Sequence, residues 1–145
     1  MFINDQFAPA SVSIKKTPAA FHRFEVLWTP TVLLLDSIGK ERHRIEGYLP
    51  RAEFAAQLEL GLARIAFMGK KWDEAERRYK NIVQQYGSSP TAAEAIYWSG
   101  VASYKRTIDH TVLRLISREL EQHFPNSLWA RKASIWAGRR LEQAS

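Results

Sequence analysis

The sequence predicts a mixed fold, a small α+β unit at the front that runs without a break into an all-α array of helical hairpins. Three observations carry that expectation. Strand-like runs are confined to the chain before Pro50. From there on, apolar residues recur at helical spacing. Within the helical part the chain repeats itself. Slid by 38 residues, Tyr86, Ser89, Ala92, Ala95, Trp98 and Gly100 overlay Phe124, Ser127, Ala130, Ala133, Trp136 and Gly138.

The front elements follow in order. Residues 7–14 alternate loosely between apolar and polar and end in Lys15-Lys16, which predicts a strand. Pro18 stands in the first turn of a short helix through Phe24, with Thr17 as N-cap. Thr31 to Leu35 is continuously apolar and partly β-branched, as expected of a strand buried on both faces. Asp36-Ser37-Ile38-Gly39 supplies the turn. Glu41 to Glu46 returns as an edge strand whose charges discourage further pairing, and Gly47 closes it. Pro50 opens a long helix to about Met68. Phe54, Leu58, Leu62 and Ile65 make one stripe, while Leu60 and Phe67 lie off it. A helix apolar on two sides is covered on two sides. Its front half is expected on the sheet and its rear half on the next helix.

Four more helices are expected. Trp72, Ala75, Tyr79, Ile82, Val83 and Tyr86 fall at offsets 0, 3, 7, 10, 11 and 14, an amphipathic pattern. Ser89-Pro90 starts a helix to about Thr107. Asp109 caps another, with Val112, Ile116, Leu120 and Phe124 as its face and Pro125 as its stop. Ser127 caps a last helix through about Leu141. The small residues of the repeat let neighbouring helices approach closely, as in a stack of hairpins.

Bulk properties set the bounds. A chain of 145 residues, 46% hydrophobic and 25% charged, can bury a core as one domain or two small ones. No stretch approaches the roughly 20 apolar residues of a membrane span. The first residues lack the pattern of a secretory signal. As written, the chain is expected in the cytoplasm; a signal peptide upstream would make it periplasmic. It has no cysteine, which excludes disulfides, thiolate nucleophiles and thiolate zinc sites within it. The net charge of +6 is uneven: residues 69–145 carry 13 Lys/Arg against 8 Asp/Glu. Those charges sit mostly opposite apolar stripes, so a solvated helical surface accounts for them and nucleic acid is not the expected partner. A steep loss of nucleic-acid affinity with salt would be the sign of the other reading.

Two resemblances add to this. Val26, Thr29-Pro30-Thr31, the apolar strand, the hairpin at Asp36 to Gly39, Gly47, and the helix with Phe54 and Leu58 resemble the second half of a thioredoxin fold. The resemblance spans residues 1–62 and implies a cis bond before Pro30. In that family the proline loop lies against the CxxC motif and touches substrate backbone. This chain departs from the pattern, because the strand and helix start that bear the CxxC are absent. That strand lies between the ones placed here at 7–14 and 31–35, so its loss leaves Leu33 to Leu35 unpaired. The resemblance thus points to a shortened redox protein, or to a sheet that is rearranged or completed by another chain.

Residues 60–145 resemble tetratricopeptide repeats of the divergent kind with aromatic-Pro-x-Ser between helices. Phe124-Pro125-Asn126-Ser127 matches, and Tyr86-Gly87-Ser88-Ser89 matches with glycine for proline. The spacing departs from the standard 34 residues, and the last helix, lacking a partner, serves as a cap. Such arrays present a concave groove to peptides or proteins. The fold class expected is therefore α+β/α, a partial thioredoxin-like sheet followed by a tetratricopeptide-like array.

The candidate site is the loop Trp28-Thr29-Pro30, a contact surface for a partner polypeptide; a merely structural turn is the alternative. Trp98 and Trp129 are the aromatics expected to line the groove, the others serving as core between helices. The arginines 77, 78, 114, 118, 131, 139 and 140 belong to a solvated surface. His22, His43, His110 and His123 have no metal-ligand spacing, and neither metal nor cofactor is expected. Two functions stand. One is a non-catalytic interaction module with a protein or peptide partner, with self-association through the incomplete sheet. The other is the C-terminal part of a thiol–disulfide oxidoreductase whose CxxC lies upstream.

Overall fold

A computed structural model describes residues 2–13 and 15–138. The front holds α1 (Phe2–Gln6), α2 (Pro18–Arg23), β1 (Thr31–Leu35) and β2 (Glu41–Glu46). The strands pair antiparallel, with Thr31 opposite Glu46 and Leu33 opposite Arg44, and the register slips after Leu34. Asp36 builds the turn between them. Its carboxylate accepts from the backbone N–H of Ile38 and Lys40 and from Arg42 Nε at 2.8 Å. Gly39 follows at φ +81°, which a side chain would resist.

The strand expected over 7–14 does not form. Residues 8–13 are exposed and enter no ladder, and Ile14 lies outside the described residues. A strand needs a neighbour to bond, and this segment has none among the described residues. For the same reason β1 is not covered on both faces. Of its five residues only Leu34 is buried, and Leu35 is exposed. Thr17 precedes α2 as foreseen, but its side chain makes no capping bond.

Behind the sheet lies α3 (Arg51–Met68). Leu34, Ile45 and Leu58 form one apolar cluster, joined by Val32, Phe54, Ile65, Ile3 and Phe7. Gly61 permits the close approach, since a Cβ there would stand 2.1 Å from Leu34 Cδ2 and 3.2 Å from His43 Cβ. The opposite side of the same helix, Leu60, Ala63, Ala66 and Phe67, packs on the helices that follow. The array side is confined to residues 60–67, the rear half as expected, while the sheet side runs from Phe54 to Ile65, so the two faces overlap in the middle of the helix. Small residues at 63 and 66 make the second face easy to overlook in an apolar count.

The array consists of α4 (Trp72–Gln85), α5 (Pro90–Thr107), α6 (His110–His123) and α7 (Leu128–Ala133). Each short connection returns the chain against the preceding helix. Ser89, Asp109 and Ser127 each accept a first-turn backbone N–H, which fixes where α5, α6 and α7 begin. Tyr79, Ile82, Ala95 and Ala102 join α3 in one core, and Ile96, Ala93, Leu120 and Ala133 form a second. Gly100 lets α5 and α6 close, as a Cβ there would lie 2.5 Å from Ile116 Cγ1. Its counterpart in the repeat behaves differently: Gly138 takes φ +70°. It follows a 3-10 turn at Ser134–Ala137, so the last helix ends well before Leu141, which is outside the described residues along with Arg139 and Arg140.

Polar contacts tie sheet to array across α3. His43 Nε2 and Gln57 Oε1 are 2.8 Å apart, and Gln57 Nε2 donates to Thr91 Oγ1 of α5 at 2.8 Å. With Gln57 as acceptor, the imidazole is the Nε2–H tautomer. Ser89, the cap of α5, donates to Glu53 Oε2 of α3 at 2.7 Å.

Candidate functional site

The Thr29–Pro30 bond is cis, the geometry the resemblance implies. The loop is held almost wholly through its backbone. Gly47 N–H donates to the Pro30 carbonyl at 2.7 Å, and Thr31 Oγ1 donates to the Trp28 carbonyl at 2.5 Å. Just upstream, the Arg44 guanidinium donates to the carbonyls of Phe24 and Glu25. Val26 N–H closes onto the Phe21 carbonyl at 3.0 Å. The side chains are left out of this scaffold. Leu27 is 83% exposed, Trp28 69%, and Tyr48, next to the Gly47 that binds Pro30, 82%. These three large apolar groups are left exposed near the Pro30 end of the sheet. Leu27 and Tyr48 were not singled out from sequence. The available signal is that neither belongs to any apolar stripe of period 2 or 3.6.

The second candidate is an aromatic stack across α3, α5 and α7. Trp98 meets Phe67 edge-on at 5.4 Å and Trp129 at 6.4 Å. Tyr97 lies 5.2 Å from Trp129 and stacks on Trp136 at 4.7 Å with 23° between the rings. Lys132 Nζ sits 4.4 Å over the Trp129 ring. The structure thus brings Trp98 and Trp129 together, but both are half-buried and Trp98 is clamped by core residues. Tyr97 and Trp136 complete the stack and were read from sequence only as core. No ring contact joins Trp28 to this stack among the described residues.

A carboxylate adjoins these rings. Burial pushes the Glu94 carboxyl above its usual range, against the pull of Arg64, Lys132 and the Trp98 indole. The indole N–H is itself buried and meets no acceptor within hydrogen-bond geometry. By contrast, Glu76 is fully engaged. It accepts from Lys80 at 2.6 Å and from Arg106 at 3.0 and 3.1 Å, stitching α4 to α5. Arg106 also pairs with Asp73, and Arg78 with Glu74, so part of the basic surface is neutralised locally. Among the described residues no group of three His, Asp or Glu is placed to hold a metal. His43 is bonded to Gln57, and the His110 ring lies 5.0 Å from that of Tyr104. No described helix is long and apolar enough to cross a membrane.

Residues 3–62 match the family model of a thioredoxin-like domain, a span that ends within α3. No curated protein and no solved structure matches the chain. The match supports a thioredoxin-like domain at the front, and the described residues that follow it are mostly helical.

Proposed function

We propose that the chain is a non-catalytic protein-interaction module. In this reading residues 1–62 form a thioredoxin-like platform and residues 60–145 a tetratricopeptide-type array, the two sharing α3. Without cysteine the platform cannot exchange thiols, so what it offers is surface. The carrying observation is the exposure of Leu27, Trp28 and Tyr48 around a cis-proline loop that is already fixed through its backbone. A rigid loop with free aromatic groups binds at low entropic cost. The array supports the reading with helices whose facing sides carry Tyr97, Trp129 and Trp136, next to a half-buried carboxylate.

The test is selection of binders from a displayed peptide library on the immobilised chain. W28A and Y48A leave the fold intact and weaken the selected binders at least tenfold, about 1.4 kcal/mol each. Binders indifferent to both, and to W129A, would end the proposal.

The thioredoxin-like match over residues 3–62 also favours a second reading, in which the Pro30 loop faces a CxxC held on residues additional to these, as in a thiol–disulfide oxidoreductase. Insulin reduction by the chain alone is null under both readings. The intact mass of the natural protein separates them, because only the second requires a longer, cysteine-bearing chain.

A further inference from the structure

Several charged side chains of the array find partners within it. Glu76 pairs with Lys80 and Arg106, Arg106 also with Asp73, and Arg78 with Glu74. One cluster is built differently. On α3, Gln57, Gly61 and Arg64 share a stripe at offsets 0, 4 and 7. Gln57 bridges His43 of β2 to Thr91 of α5, and Gly61 abuts His43, so this stripe follows the seam between sheet and array. Phe67, three residues beyond Arg64, meets the Trp98 ring. With Thr91 beside Gln57 and Trp98 beside Phe67, Arg64 falls level with the turn of α5 from Glu94 to Trp98. From the other side α7 brings Trp129 against Trp98 and Lys132 over Trp129.

Two cations thus flank one carboxylate without closing on it. Both pull on Glu94, yet among the described residues neither reaches it within ion-pair distance, and neither makes a hydrogen bond. Arg64 is half-buried, so its guanidinium donors are withdrawn from solvent in part and matched by nothing in the chain. Two further donors adjoin it. The buried Trp98 indole N–H has no acceptor. The Tyr79 side chain is 1% exposed, feels both Arg64 and Glu94, and makes no hydrogen bond among the described residues. Donors outnumber the single carboxylate, and the net charge of the cluster is positive. We infer that this seam takes the acidic side chain of a partner peptide, with Arg64 as its main contact and Lys132 closing from α7. The inference rests on the interaction-module reading and gives the chemistry of its ligand. A guanidinium grips a carboxylate through two parallel bonds, and a partly buried one does so more strongly than one in water. The Trp129 ring beside it offers apolar surface to a neighbouring residue of the peptide. A basic side chain directed at Glu94 is the opposite occupant, and it would have to settle between two cations already in place. Glu94 opposes an acidic ligand, so neutralising it strengthens binding.

The test uses two displayed libraries of random short peptides on the immobilised full chain. One carries a fixed glutamate and no lysine or arginine; the other carries a fixed lysine and no aspartate or glutamate. Binders are expected from the glutamate library, at roughly tenfold the recovery of the other. They are expected to weaken roughly tenfold on R64A and roughly threefold on K132Q, and to tighten on E94Q. Lys132 is exposed, so K132Q reads the charge with the fold untouched even if R64A perturbs packing. Raising the salt concentration weakens the same binders. Equal recovery from the two libraries, lysine-library binders that are lost on E94Q, or glutamate binders indifferent to both R64A and K132Q would overturn the inference. Binders that need Trp28 and Tyr48 but not Arg64 or Lys132 would overturn it and leave the module reading standing. No binder from either library would overturn both.

Discussion

Replacing Gly61 with alanine pits two physical terms against each other in a single methyl group. In a helix interior, glycine to alanine ordinarily gains about 1 kcal/mol. Here the new Cβ would stand 2.1 Å from Leu34 Cδ2, where carbon atoms rest at about 3.5–4.0 Å. Leu34 is 3% exposed, so its side chain cannot swing into solvent. Retreat of the helix is resisted by its opposite face, which is packed on α4 and α5. His43 Cβ at 3.2 Å and its ring at 3.3 Å block a sideways shift. Overpacking of this kind costs about 1–3 kcal/mol, and the overlap places it at the upper end. The net expectation is a loss of about 1–2 kcal/mol, read from urea melts followed by circular dichroism and tryptophan fluorescence. L34A alone leaves a cavity and costs about 3 kcal/mol. In the double variant the alanine methyl enters that space, so the two changes couple favourably by about 1 kcal/mol or more. G61A more stable than the parent, with an additive cycle, would refute the packing described for α3.

Other expectations follow from the buried titratable groups. Burial holds the His43 imidazole below 6.5, with the Gln57 bond opposing this and Arg64 adding to it. The unfolded chain then takes up the proton first, so stability falls as pH drops below about 6.5 until the lower folded value is reached, and H43Q flattens that slope in melts across the window. Burial pushes Glu76 up, but the bonds from Lys80 and Arg106 outweigh it and hold the carboxyl below 4.5. Its stability is present above that value and lost as pH falls through the lower folded one. E76Q removes this acid loss and costs about 1–2 kcal/mol at neutral pH, as denaturant titration will measure. Glu94 has the opposite sign: burial raises its folded value, so E94Q gains stability at neutral pH, and an unchanged midpoint would show the carboxylate to be solvated.

Much of this architecture was legible because local chemistry marks it. Asp36 and Gly39 make the hairpin, and Ser89, Asp109 and Ser127 start α5 to α7 by bonds within a single turn of helix. What escaped depends on partners far along the chain. Residues 8–13 continue a strand-like pattern yet enter no ladder among the described residues. On α3 the second face was legible from Leu60 and Phe67, but the alanines at 63 and 66 that complete it show their role only against Tyr79 and Ile82. The 3-10 turn that follows α7 ends at Gly138, which matches Gly100 by position but adopts a left-handed conformation. At the candidate site Trp28 could be read from the Thr-Pro that follows it. Tyr48 stands in the sequence only as an aromatic outside every apolar stripe, and its place near Pro30 comes from a backbone bond made by Gly47.

Because α3 is apolar on both sides, its length acts as a gear between the two ends of the molecule. An α-helix turns about 100° per residue. One residue inserted between Leu58 and Ile65 would swing the whole array by that angle relative to the sheet, or else bury one side wrongly. The orientation of the ring stack with respect to the cis-proline loop is thus written in the phase of a single helix, and drift in that segment's length is forbidden even where its composition is free to change.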